Sequence, residues 1–161
     1  MNQPKPLILG EFQRKLDDRY RLSIPGELTE ILGGETLECM LAKERPGCLS
    51  LWNAAAWKSR LEHDVELVRG KWVAGKLEGR ISQLQVLGRL LSTRHREVPL
   101  TGRGRLLIPE GFREFLGVEP GGDVTVVGAA LCVELWRPDA WLRYLEKRMP
   151  RFRRLIDRLS G

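Results

Sequence analysis

LDDRYRLSIPGELTEILG, residues 16–33, returns 84 residues later as LTGRGRLLIPEGFREFLG, residues 100–117. Nine of the eighteen positions are identical: Leu16/Leu100, Arg19/Arg103, Arg21/Arg105, Leu22/Leu106, Ile24/Ile108, Pro25/Pro109, Glu30/Glu114, Leu32/Leu116 and Gly33/Gly117. The same shift lays CLSLWNAAAW, residues 48–57, over CVELWRPDAW, residues 132–141, keeping Cys, Leu, Trp, Ala and Trp. The chain is an internal duplication.

Each copy reads as a strand, a tight turn, a second strand, a short helix and two further strands. The apolar runs RLSIP and RLLIP suit buried strands, and Pro25 and Pro109 fit near a first helical turn, where a missing N–H costs little. Leu28, Ile31 and Leu32, or Phe112, Phe115 and Leu116, then share one helix face that Gly33 or Gly117 ends. LECMLA with CLSLW, and DVTVVGAA with LCVELW, are the strand pairs that follow, joined by turns such as Arg45-Pro46-Gly47. A copy of about 45 residues is too small to bury a sufficient core alone. The copies are therefore expected to interlock as one pseudo-twofold β core.

Between them, Trp57, Leu61, Val65 and Val68, and then Ile81, Leu84, Leu87, Leu90 and Leu91, recur at helical spacing. Gly70 and Gly75 loosen the join, which predicts a helical hairpin. The tail from Pro138 is also helical, with Leu142, Leu145, Met149, Phe152, Ile156 and Leu159 in rhythm, but Pro150 predicts a kink or two short helices. The boundaries read are a first repeat over 8–53, a helical insert over 54–93, a second repeat over 94–137 and a basic helical tail over 138–161.

Composition narrows the function. The 161 residues are 42% hydrophobic and 30% charged, with a net charge of +6. That is the balance of a folded domain, and a basic excess attracts polyanions. Seven basic and three acidic side chains in 138–161 supply +4 of that excess, so net charge says little about the rest. No apolar run reaches the length of a membrane span, and Met1–Gly10 lacks the pattern of a signal peptide, which predicts a cytoplasmic protein. Cys39, Cys48 and Cys132 are odd in number and unpaired in spacing, and neither they nor His63 and His95 form a zinc pattern. No nucleophile stands beside a base in a recognisable motif, and Gly102-x-Gly104 lacks the third glycine and following helix of a dinucleotide fingerprint. An enzyme, a cofactor and a metal are not expected.

LDDRYRLSIP and LTGRGRLLIP resemble the MraZ family, whose chains carry two AbrB-like (SpoVT-AbrB) motifs written roughly L-D-x-K-G-R-x-x-x-P. Gly10-Glu11-Phe12, the insert LQVLGRLLSTRHREVPL and the paired LW and W positions are similar to it as well, and the resemblance spans residues 8 to about 141. It implies an α+β, mainly β fold in which two swapped-hairpin repeats form one pseudo-twofold β barrel with a helical insert and a C-terminal helix. It further implies a ring-like homo-oligomer, located at the nucleoid, that binds tandem boxes in double-stranded DNA and represses division and cell-wall genes.

Residue chemistry suits that implication. Strand alternation would project Arg19 with Arg21, and Arg103 with Arg105, near a hairpin narrow enough for the major groove. Guanidinium groups grip guanine O6 and N7 or phosphate. Pseudo-symmetry would present both pairs on one surface, and Arg14 and Lys15 on the strand before the first turn complete the candidate DNA-binding set. Avidity across a ring could then hold weak single contacts. The bland reading of these arginines is solvated turn charge, with Arg21 paired to Asp17. For Trp52, Trp57, Trp136 and Trp141, core packing competes with base stacking and is favoured by their positions at strand ends and helix starts. The tail's arginines can touch phosphate or an anionic membrane, or form a wetted helix face, while its apolar stripe suits docking on a neighbour or on its own barrel.

Both copies depart from the family pattern. Gly104 occupies the glycine position of the second turn, where a left-handed residue is commonly required, but Tyr20 stands there in the first. A bulky left-handed residue costs about 1–2 kcal/mol, so that turn is either reshaped or strained. Asp17 holds the aspartate position in the first copy and Thr101 in the second, and the lysine is arginine in both. These departures leave open a structural assembly module, or an AbrB-type antitoxin that binds a protein through its C-terminal helix.

Overall fold

The computed structural model describes residues 6–34 and 37–161. Met1–Lys5, part of the stretch searched for a leader, lie outside it. The first repeat supplies β1 (Ile8–Lys15), β2 (Arg21–Ser23), α1 (Gly26–Leu32), β3 (Leu37–Arg45) and β4 (Cys48–Asn53). The second supplies β5 (His95–Thr101), β6 (Arg105–Leu107), α4 (Phe112–Leu116), β7 (Asp123–Ala130) and β8 (Val133–Trp136). Each pair of counterparts falls about 84 residues apart.

All eight strands form one antiparallel sheet in the order β1-β7-β8-β4-β3-β5-β6-β2. β1 of the first repeat pairs with β7 of the second along its whole length, and β5 of the second pairs with β3 of the first. Each repeat thus hands its leading hairpin to the other. β2 and β6 then pair with one another, placing Leu22 opposite Leu106. The barrel nearly closes where the Asp17 N–H donates to the Arg21 carbonyl at 3.0 Å.

Exchange of hairpins gives the molecule one core. Leu16, Leu22, Ile24, Leu28 and Leu32 share a cluster with Leu100, Leu106, Ile108, Phe112 and Leu116, all at most 5% exposed. Each such side chain contributes roughly 1.5–3 kcal/mol relative to its exposed state, so neither half could form this interior alone.

Two smaller clusters fasten helices outside the barrel. Trp57 packs with Met40 and Ala42 to anchor α2 (Ala54–Val73), and Trp136 packs with Cys48, Val127 and Ala140 to anchor α5 (Pro138–Arg148). The Asn53 side chain caps α2 by accepting from the N–H groups of Ala55 and Ala56. α2 runs out from the barrel, a 3₁₀ turn at Glu78–Arg80 follows, and α3 (Ile81–Thr93) leads back to β5. The tail breaks at Pro150, within the 3₁₀ turn Met149–Arg151, before α6 (Phe152–Ser160).

Candidate nucleic-acid interface

The β2·β6 ladder is the wall on which the candidate arginines meet. Leu22 and Leu106 point inward and are buried, so Arg21, Ser23, Arg105 and Leu107 share the outer face. Arg21 lies opposite Leu107, and Arg105 opposite Ser23. The two arginines are diagonal neighbours, about 7–8 Å apart at Cα. Because the strands are antiparallel, the turns that precede them sit at opposite ends of this wall. Arg19 and Arg103 are turn residues, not strand residues, so strand alternation does not place them as the sequence pattern suggested.

The first loop, Asp18-Arg19-Tyr20, is folded on the Asp17 carboxylate. Asp17 Oδ1 accepts from the N–H groups of Arg19 and Arg21, each at 2.8 Å, and Oδ2 accepts from Arg21 Nε at 3.0 Å. The bond from the Arg21 N–H is the main reason that this carboxyl is held below its ordinary pKa. Tyr20 closes the turn by donating its N–H to the Asp17 carbonyl at 3.1 Å and adopts φ 59°. The strain of a left-handed tyrosine is therefore present.

The second loop, Gly102-Arg103-Gly104, has the same length and another backbone. Arg103 and Gly104 are both left-handed, at φ 59° and 73°. Thr101 stands where Asp17 stands and offers no carboxylate. Among the described residues neither Arg103 nor Arg105 has an ion-pair partner within 4.0 Å, and both are exposed. Asp17 and Asp18 cancel Arg19 and Arg21 in the first turn, whereas the second turn carries two uncompensated positive charges.

The two turns are locked to the opposite repeat by matched bonds. The Tyr20 carbonyl accepts from the Ile108 N–H at 2.9 Å, and the Gly104 carbonyl from the Ile24 N–H at 2.8 Å. Around these bonds the repeats differ in a compensating way. Arg113 lies over the Tyr20 ring at 4.1 Å and donates from Nε to the Ile108 carbonyl at 2.6 Å. Its counterpart is Thr29, fully buried, whose methyl would lie 3.3 Å from a Cβ at Gly104. A cation–π pair fills one side where a small pair fills the other, and such pairs contribute about 0.5–2 kcal/mol. That is similar to the strain at Tyr20.

Arg113 did not emerge from the sequence pattern. The signal was present, since positions 29/113 and 20/104 of the aligned repeats both change size, in opposite senses. Of the remaining candidates, Lys15 pairs with Asp123 at 3.0 Å, and Arg14 lies beside the Phe12 ring and donates to the Gln13 carbonyl at 2.8 Å. Both sit on β1, apart from the β2·β6 wall. The four paired tryptophans pack into the clusters that anchor α2 and α5. Burial holds the Cys39 and Cys132 thiols up at about 12 and raises Cys48 too, so all three are unreactive.

The chain is similar in sequence to known proteins. The family model described as "MraZ protein, putative antitoxin-like" matches residues 93–159. The chain is 29% identical over 154 residues to a protein of Heliobacterium modesticaldum named transcriptional regulator MraZ, covering 95% of this chain and 96% of that one. Proteins of the same name from Symbiobacterium thermophilum and Thermus thermophilus are 28% and 25% identical. Those alignments cover 94% and 86% of this chain, and 99% and 87% of the relatives.

Proposed function

We propose that the chain, similar over most of its length to proteins of the MraZ family, is a transcriptional regulator that binds double-stranded DNA through the outer face of its β2·β6 wall. The observation that carries this reading is the second hairpin, whose exposed Arg103 and Arg105 have no carboxylate partner among the described residues. Arg103 is also held in a left-handed backbone. Such conformations persist where the surroundings impose them, and they cluster at binding sites.

In this reading Arg105 and Arg103 grip guanine edges or phosphates, and Arg21 and Arg19 of the first hairpin extend the contact. Arg14 and Lys15 lie farther along β1 as phosphate contacts. The protein acts at the nucleoid as a repressor of division and cell-wall genes, and a ring of copies reads tandem boxes by avidity. Catalysis is no part of this activity. The test is fluorescence anisotropy with the duplex upstream of the protein's own gene. Specific binding that R103Q/R105Q abolishes is expected, and no binding at low salt would count against the reading.

A second reading is supported by the exposed apolar residues of the tail, among them Leu142 at 60% and Leu159 at 77%. They suit a helix that docks on another protein. Deleting residues 142–161 separates the two, since docking would be lost while the preference for specific over random DNA persists.

A further inference from the structure

The tail carries a second cluster of cations that the hairpin reading does not use. Arg148, Arg151, Arg154 and Arg158 line one recess of about 250 Å³ with Tyr144, between the end of α5 and α6. Although the 3₁₀ turn at Pro150 separates Arg148 from Arg154 and Arg158, all four side chains turn toward this one recess. No carboxylate among the described residues lines the recess. Among the described residues, these four form no ion pair, whereas Arg153, on another face of α6, is paired with Asp157 at 3.3 Å.

The upper end of the recess is organised by aromatic rings. Arg45 and Arg148 lie over the Tyr144 ring at 5.1 and 5.6 Å, and Arg45 also lies over Trp136 at 5.5 Å. Glu134 lies near Arg45, and Glu44 pairs with Arg94 at 3.2 Å, but neither carboxylate lines the recess. With the Tyr144 ring occupied by guanidinium groups, no base can stack there. What the row offers is a line of N–H donors, which fits phosphate.

From this arrangement we infer that the Arg148–Arg158 row is a second binding site for the phosphate backbone of duplex DNA. Four guanidinium groups gathered on one recess suit several successive phosphates of one strand. A single phosphate group would leave most of them uncovered. A flat lipid surface fits less well, because the arginines converge on a recess while Phe152, Ile156 and Leu159 occupy the neighbouring face of α6. The site is remote from the hairpins. α5 continues from β8, which lies four strands around the nearly closed barrel from β6. A chain holding DNA at both places would contact two segments, or two turns of one.

The test uses the full chain, a random-sequence duplex and a NaCl series, so that specific recognition by the hairpins does not enter. R151Q/R154Q/R158Q is expected to weaken binding at least tenfold at low salt and to flatten the slope of log K against log salt by about 2–3, near 0.9 per lost phosphate contact. R103Q/R105Q serves as the parallel variant: if the hairpins do not bind DNA, it leaves random-sequence binding unchanged while the tail variant still loses it. An unchanged melting temperature shows that the tail variant is folded. The inference is overturned if the tail variant keeps the wild-type slope. It is also overturned if the arginines prove necessary only for vesicles of equal phosphatidylglycerol and phosphatidylcholine, or only for inorganic tripolyphosphate.

Discussion

The two hairpins descend from one motif, have loops of equal length, and close by equivalent bonds on each other's repeat. They nevertheless differ in two respects that bear on function. The first uses Asp17 to fold its loop, which ties up Arg21, and accepts a strained Tyr20 steadied by Arg113. The second uses Gly104 to fold its loop without a carboxylate, which leaves Arg103 and Arg105 with no ion-pair partner among the described residues. One device that shapes a turn also neutralises it, and the other does not. The repeats have therefore divided a task between them: the first hairpin is the better braced and the second the better charged.

The largest test of that division is DNA binding. R103Q/R105Q is expected to reduce affinity for specific DNA about a hundredfold or more, since each well-placed arginine contributes roughly 1–3 kcal/mol of discrimination. R19Q/R21Q is expected to cost less than about tenfold, because Arg21 already has Asp17 and because Asp18 repels phosphate nearby. Equal losses from the two variants would erase the distinction.

Stability provides the next contrast. A Cβ at Gly104 would stand 2.9 Å from the Ile24 carbonyl oxygen, and its φ of 73° is one that alanine resists. Gly104→Ala should destabilise the fold by about 2–3 kcal/mol, lowering the melting temperature by roughly 5–10 °C. Tyr20→Gly, at the matched position, should stay within about 1 kcal/mol of wild type, as relief of strain offsets the lost ring contact. A double-mutant cycle of Tyr20→Gly with Arg113→Ala is expected to give a coupling of about 1 kcal/mol. A coupling near zero would show that the guanidinium does not steady the tyrosine.

How far this was legible depends on the range of the contacts. The repeat, its strands and its common core could be read directly, because Leu22 and Leu106 or Ile24 and Ile108 do the same work in both copies. Pro150 announced the break in the tail, and Asp17 four residues before Arg21 announced their pair. Arg113 could not be reached from local pattern, since its contact with Tyr20 depends on the hairpin exchange that brings residues 93 positions apart together. The antiparallel β2·β6 pairing was equally hidden, and with it the separation of the two turns. Similarity between copies reveals what they share, whereas the interlock between them decides how their differences fit.

The smallest expected effect isolates the carboxylate itself. Asp17 has its pKa depressed in the folded chain, so its contribution is complete above the ordinary aspartate value of about 3.9 and is lost as pH falls through the lower folded value. Below that window the Arg19 and Arg21 amides should shift together in NMR spectra, while those of Arg103 and Arg105 stay still, because Thr101 does not titrate. Asp17→Asn should abolish the transition. At neutral pH the same substitution releases Arg21, so it is expected to raise DNA affinity a few-fold, and Thr101→Asp should lower it by a similar factor. If Asp17→Asn weakened binding instead, the carboxylate would be aiming Arg21 at DNA instead of restraining it, and the unpaired arginines of the second hairpin would be the less organised pair.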